Sequence, residues 1–190
     1  IWTVKDMAVH ISKTKAPQLA VTFNLSKPHS QNSHTEIFID KSVIGSLVVH
    51  EGFKLTMTNC SIDRRDLRHT HKQTFLDVEN STVFLKNVQF TNIHMLSNPT
   101  PVVLNARFNC EIFIDNSSFI NNSGLYGLMY IGNNSNIEIT NSRFQENRAL
   151  EADPVGGGCF RLGDKVFVTL NRSHFISNSA QNGGVLGIPH

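Results

Sequence analysis

The chain has 190 residues, 39% of them hydrophobic and 17% charged, with a formal net charge of +2. That is enough apolar material for one sizeable core and too little net charge for a disordered polyion. With 17 Lys and Arg against 15 Asp and Glu and no basic run interleaved with aromatics, the pattern excludes a nucleic-acid groove, and no apolar run nears the roughly 18 residues that span a bilayer.

The polar fraction is carried by Asn and Ser rather than by charge, and 13 Phe stand against 2 Tyr and 1 Trp, which suits stacked strands joined by polar turns. The chain opens on Ile1-Trp2-Thr3, without an initiator Met or a signal-peptide layout, and stops at Ile188-Pro189-His190, so it reads as a piece of a longer protein. Residues 1–190 are expected to form a single domain, with weaker repeats over 1–50 and clearer ones over 51–190.

In chain order, six segments share one scheme: an alternating strand, a polar corner and an apolar anchor. They are Ile37 to Ile44, Leu55 to Ile62, Val83 to Phe90, Glu111 to Phe119, Ile137 to Phe144 and Val168 to Phe175. Their anchors at 44, 62, 90, 119, 144 and 175 lie 18, 28, 29, 25 and 31 residues apart, lengths that suit one coil of a solenoid. Within each copy apolar and polar residues alternate, as in Ile137 and Ile139 against Glu138 and Thr140, the period of a strand with one buried face. No copy carries a helical period long enough for a crossover helix. The expected fold is therefore all-β, a parallel β-helix of about six to seven coils. An antiparallel sandwich also uses short alternating strands, but it has no need of the same Asn and Phe at the same point of each repeat.

Stacking coil on coil assigns roles to the repeated residues. Asn59, Asn87, Asn116 and Asn141 share the strand-end position, where Asn tolerates a left-handed turn and can bond to the Asn above and below, so these four are expected to form a structural ladder. Phe90, Phe119, Phe144 and Phe175 are expected to stack along the inside. The odd set Cys60, Cys110 and Cys159 contains no CxxC pair; Cys60 could pair with Cys110, but buried small hydrophobes are the simpler reading.

Phe119-Ile-Asn-Asn122, Phe144-Gln-Glu-Asn147 and Phe175-Ile-Ser-Asn178 are FxxN motifs, and the last two run into Gly156-Gly157-Gly158-Cys159-Phe160 and Gly183-Gly184-Val185-Leu186. In this pairing, over about residues 80 to 190, the chain resembles the polymorphic outer-membrane-protein repeat family, in which FxxN is followed by Gly-Gly and aliphatic residues. Copy 119 departs from the pattern, with Gly124 and Gly127 in place of a Gly pair. The resemblance implies a right-handed parallel β-helix displayed outside the cell, in adhesin-like surface proteins, without catalysis. The glycines also suit tight turns or close approach between coils, whereas a phosphate cradle at Gly156 to Gly158 lacks the following Lys-Ser/Thr.

Chemistry is then sought on the outside. Sequons for N-glycosylation start at Asn24, Asn59, Asn80, Asn116, Asn121, Asn133 and Asn171. Asn59 and Asn116 are ladder positions where a glycan would clash, so Asn80, Asn121, Asn133 and Asn171 are the expected acceptors, with Asn24 next. The densest polar segment runs from Ser61 to Lys72. His69 and His71, with Asp63 or Asp66, could ligate a metal there, but a solvated loop that contacts proteins or glycans is the stronger reading.

A carbohydrate-cleaving β-helix enzyme would need converging carboxylates. Asp40 and Asp115 share a strand-end position that Lys86 and Thr140 occupy in other copies, and Glu146, Glu151, Asp153 and Asp164 are scattered. No catalytic residue, cofactor or metal site is therefore assigned. The expected function is an extracellular or cell-surface scaffold for adhesion, with glycans or other surface proteins as partners, no nucleic acid and no membrane insertion by this segment. End-to-end self-association through uncapped coil edges is a further expectation.

Overall fold

The computed structural model describes residues 8–24, 35–50, 52–63, 74–95, 100–150, 157–181 and 183–187. All regular elements among them are β-strands, and all the strand pairings are parallel. The molecule is a parallel β-solenoid, which excludes the antiparallel sandwich.

Among the described residues the strands of successive coils stack into four sheets, two of them seven strands long. The first stacks Ala8–Ser12, Thr35–Asp40, Phe53–Thr58, Thr82–Lys86, Glu111–Asp115, Asn136–Thr140 and Phe167–Asn171 in that order. The second stacks Lys15–Asn24, Val43–His50, Leu76–Val78, Leu104–Phe108, Met129–Asn133, Phe160–Leu162 and Leu186–Gly187. A third sheet is built from Ser61–Asp63, Gln89–Thr91, Ser118–Ile120, Arg143–Gln145 and His174–Ile176, and a short fourth from His94–Met95, Ser123–Gly124 and Arg148–Ala149. From Thr82–Lys86 the chain passes through Gln89–Thr91, His94–Met95 and Leu104–Phe108. It then enters Glu111–Asp115, one strand further along the first sheet.

In the first sheet Ile37 lies opposite Leu55, Leu55 opposite Val83, Val83 opposite Ile112, Ile112 opposite Ile137 and Ile137 opposite Val168. The sequence intervals of 18, 28, 29, 25 and 31 are thus register offsets between neighbouring strands, and the same separations recur in the side-chain bonds between coils. Val9 and Ile11 lie opposite Ile37 and Ile39, so the sheet begins one strand before the repeats recognised in the sequence.

Burial follows the strand period. Asn136–Thr140 places Ile137 and Ile139 inside and Glu138 outside. Stacking then gathers like positions into columns, one of Ile37, Leu55, Val83, Ile112 and Ile137, another of Ile39, Met57, Leu85, Ile114 and Ile139, all buried. Each such side chain contributes about 1.5–3 kcal/mol on leaving water. Phe90, Phe119, Phe144 and Phe175 form a third column, with ring centroids 5.5, 4.7 and 4.9 Å apart and nearly parallel planes. The strand spacing of about 4.8 Å imposes that distance. Phe175, in the last coil, is only partly buried.

Three corners follow a common rule: one residue in the left-handed region, then one pointing inward. The first corner carries Lys13, Lys41, Asn59, Asn87, Asn116, Asn141 and Arg172, all with φ between 46° and 55°. The second carries Gly52, Asn80, Asn109, Asn134 and Lys165, and the third Asn92, Asn121, Glu146 and Ser177. All but Lys165, Arg172 and Ser177, which lie in the last coil, donate a backbone bond to the next coil, as where Asn116 N–H donates to Thr140 C=O at 3.1 Å. Asn fills these sites because its short amide lowers the cost of the left-handed conformation.

The inward residues form ladders of their own. Ser117 and Ser142 are buried, and the Ser142 hydroxyl accepts the Ser117 N–H at 3.1 Å while donating to Thr140 C=O at 2.7 Å. Cys60 and Cys110 stand in two such serine columns, each thiol donating to the carbonyl two residues back, from Thr58 and Phe108. They lie at different corners, and all three cysteines are buried free thiols.

Glycine is required where coils touch. A Cβ on Gly158 would sit 2.4 Å from the Gly184 carbonyl, so the Gly pairs are points of backbone contact between turns. Gly127, at φ +80°, fills the corresponding role in the copy that lacks a Gly pair: a Cβ there would meet Gly157 O at 2.4 Å.

Candidate functional surface

The interior has little left to offer chemistry. Among the described residues the one buried side-chain polar atom without a partner is Thr100 Oγ1. Burial pushes the thiols of Cys60, Cys110 and Cys159 up, which keeps them protonated and poor nucleophiles. Function is therefore sought on the outer faces.

The asparagines mark three rows along the corners. In the first, Asn116 Nδ2 donates to Asn87 Oδ1 at 2.7 Å, Asn87 to Asn59 at 3.1 Å, and Asn59 to Asp40 Oδ1 at 2.9 Å. Asn141 turns instead to Asp115 Oδ1 at 3.1 Å, interrupting the amide chain. Asn80 and Asn121 belong to the other rows: Asn80 accepts from Asn109 at 3.0 Å, and Asn121 donates to Asn92 at 2.9 Å. Asn133 is exposed and accepts the Asp164 N–H at 2.9 Å; Asn171 is exposed at the end of the last strand of the first sheet. Asn24 closes the strand Lys15–Asn24, its backbone opposite His50.

The corner rule also accounts for part of the abundance of sequons. A left-handed Asn followed by an inward Ser writes Asn-Ser at Asn80–Ser81, Asn116–Ser117, Asn134–Ser135 and Asn141–Ser142. One further hydroxyl, Thr82 or Ser118, then completes a sequon, and in Asn133-Asn134-Ser135 the hydroxyl is the buried corner serine itself.

The final Asn of the FxxN motif has a role that the sequence analysis did not assign. Asn122 and Asn147 are 1% and 0% exposed. Asn147 Oδ1 accepts from both the N–H and the amide of Asn122, at 3.2 and 3.0 Å, while its Nδ2 reaches Phe119 C=O at 2.9 Å and Asn178 Oδ1 at 3.0 Å. Asn178 repeats the pattern on Phe144 C=O at 2.8 Å. The motif is a pair of adjacent interior columns, one aromatic and one amide.

Asp40 and Asp115 do not converge. They lie three strands apart in the first sheet, about 14 Å at the usual spacing. The amides and hydroxyls of Asn59 and Thr58 hold Asp40 below the usual carboxylate range, and Asn141 and Thr140 do the same for Asp115. On the second sheet Arg107 grips Asp77 through Nε and Nη2 at 3.0 and 2.8 Å and reaches Glu79 at 3.2 Å, with Asn105 also donating to Asp77 at 3.1 Å. That cluster is internally satisfied.

The outer face of the first sheet is different. Phe84 and Phe113 stack at 4.8 Å, as do His10 and Phe38. Beyond Phe113 an open groove of about 450 Å³ is lined by Glu111, Phe113, Asn136, Glu138, Phe167 and Thr169. Glu111 and Glu138 come from adjacent strands and are exposed, and neither carries an ion pair among the described residues. This pair is not visible in the sequence, because only the register between coils brings the two residues onto one patch.

His69, His71 and Asp66, together with Glu151, Asp153 and Gly156, lie outside the described residues. Among those described, no group of three His, Cys, Asp or Glu could hold a metal ion, and no helix is long and apolar enough to cross a membrane. Comparison with protein-family models, curated proteins and solved structures gives no match.

Proposed function

We propose that the chain is a length of right-handed parallel β-helix, six to seven coils of a polymorphic outer-membrane-protein-like repeat, that acts outside the cell as a rigid adhesion scaffold. The observation that carries this reading is the division of labour between inside and outside. Interior serines, asparagines and cysteines are spent on coil-to-coil bonds, while rows of amides, hydroxyls, charges and rings are presented on the outer faces. Glycans or surface proteins are its partners. Asn80, Asn121, Asn133, Asn171 and Asn24 are its glycan acceptors, of which Asn133 and Asn171 stand outside the amide rows.

End-to-end self-association is a further part of this proposal. Stacked parallel strands pair coil to coil through their edges, and a second copy can extend the same ladder. A second reading, cleavage of a polysaccharide, is favoured by the Glu111 and Glu138 groove. Against it, both carboxyls are exposed, and among the described residues neither makes a hydrogen bond that would set one as acid and the other as base.

The test is to secrete the chain from eukaryotic cells, map its glycans by mass spectrometry, and assay immobilised protein for cell and glycan binding beside hydrolysis of a polysaccharide panel. Glycosylated protein that binds without releasing sugar ends is expected. Release of sugar ends that stops with E138Q would establish the enzyme instead.

A further inference from the structure

The outer face of the first sheet contains one complete set of contacts and one that lacks its cation. In the complete set Lys54 Nζ lies 2.8 Å from Glu36 Oε1 on the preceding strand and 5.8 Å from the centroid of the Phe84 ring on the following strand. The first outward position of successive strands runs Glu36, Lys54, Thr82, Glu111, Asn136, Phe167. Asn136 therefore follows Glu111 as Lys54 follows Glu36, and it has no positive charge. Around it stand two carboxylates, Glu111 and Glu138, and two rings, Phe113 and the 72% exposed Phe167, lining the groove.

We propose that this groove binds an extended lysine-bearing segment of a partner protein, whose ammonium groups take the place that Lys54 fills by itself further up the sheet. Charge and shape both support this occupant. Carboxylates that make no ion pair among the described residues and share a groove with two aromatic rings attract a cation, whereas a neutral sugar would bring no charge to meet them. The outward positions of Glu111 and Glu138 are diagonal on neighbouring strands, about 8 Å apart from the strand spacing and rise. Alternate residues of an extended peptide lie about 6.6–6.8 Å apart, so lysines two apart reach one carboxylate each. The site rests on the adhesion reading only in making the outer face a contact surface.

The test uses a fluorescent peptide of alternating Ser and Lys, titrated into the whole chain and followed by anisotropy. Exposed pairs are individually weak, so the E111Q/E138Q double variant is expected to lower affinity about tenfold and F167A about threefold. Raising salt from about 0.01 M to about 0.15 M cuts the Debye length from about 30 Å to about 8 Å and should weaken binding in the wild type far more than in the double variant. The lysine-acetylated peptide should not bind. The proposal is overturned if the double variant binds as the wild type does, if the acetylated peptide binds equally, or if the peptide does not bind to protein shown by its melting curve to be folded. Cell or glycan binding that persists after such a failure removes this site and leaves the scaffold reading standing.

Discussion

The first and third corners of the solenoid both stack asparagines, and they use them for opposite purposes. In the first corner Asn59, Asn87, Asn116 and Asn141 lie on the surface at positive φ, and Lys13, Lys41 and Arg172 hold the same position in other coils. What that site demands is a backbone conformation, and the amide bonds along the row are an addition to it. In the third corner Asn122, Asn147 and Asn178 point inward, and each amide both caps a carbonyl of the preceding coil and receives an N–H. No lysine could stand there, because burial without those partners would leave several polar groups unpaired. Charged residues thus replace Asn at the exposed site, whereas the inward site takes Asn or, at Ile93, an apolar side chain whose N–H donates to Asn122 Oδ1.

The sharpest way to break this contrast is Asn147→Ala. It orphans the Asn122 N–H and removes one bond each from the Asn122 amide, which keeps its bond to Phe90 C=O, and from the Phe119 carbonyl; at about 1–3 kcal/mol for a buried group left unmade, we expect a total loss of about 3 kcal/mol in urea denaturation. Asn178→Ala removes the equivalent bonds in a half-buried coil where water can replace them, and should cost about half as much. Equal losses at the two positions would show that burial does not set the value of the ladder.

How much of this was legible in the sequence follows from the same geometry. Stacking converts a sequence interval into a register offset, so Phe90, Phe119, Phe144 and the strands before them could be aligned without a structure. Val9 and Ile11 escaped because their coil has neither the inward Ser nor a large apolar anchor: Lys13 holds the left-handed corner, Thr14 the inward site, and Ala16 stands opposite Ile44. Asn122 and Asn147 escaped because a polar residue in an alternating pattern reads as outward, and only a neighbouring coil can satisfy an inward amide. Cys60 and Cys110 are serine substitutes, visible as such once their corners are known to differ. Glu111 and Glu138 sit in separate copies, and their proximity depends on which strands become neighbours.

At the exposed corner the effects should be smaller and divisible. Asn116 has φ 46°, and replacing it by Ala should cost about 1–2 kcal/mol, the usual charge for a side chain with Cβ in the left-handed region, plus its bond to Asn87. Asn116→Gly removes the same amide but suits the backbone, so a loss below about 0.5 kcal/mol is expected. If Gly proves as damaging as Ala in the same denaturation assay, the amide row, not the conformation, holds this corner.

The smallest difference is electrostatic. The first corner contains Asp40 and Asp115, held below the ordinary value of 3.8 by hydrogen bonds from Asn59 and Thr58 and from Asn141 and Thr140. Among the described residues the inward column of the third corner, Ile93, Asn122, Asn147 and Asn178, carries no ionisable group. A carboxylate whose folded pKa is depressed binds its proton more readily in the unfolded chain. Its contribution is complete above pH 3.8 and disappears as the pH falls through the lower folded value. Both groups face solvent, so screening keeps the effect slight. The D40N/D115N double variant should therefore lose part of the decline in denaturation midpoint seen when wild-type protein is taken from neutral pH to about pH 3, while Asn178→Ala should leave that slope unaltered. An undiminished slope in the double variant would mean that these two bonded aspartates are as free in the folded coil as in the unfolded chain, and that the exposed row of amides contributes geometry alone.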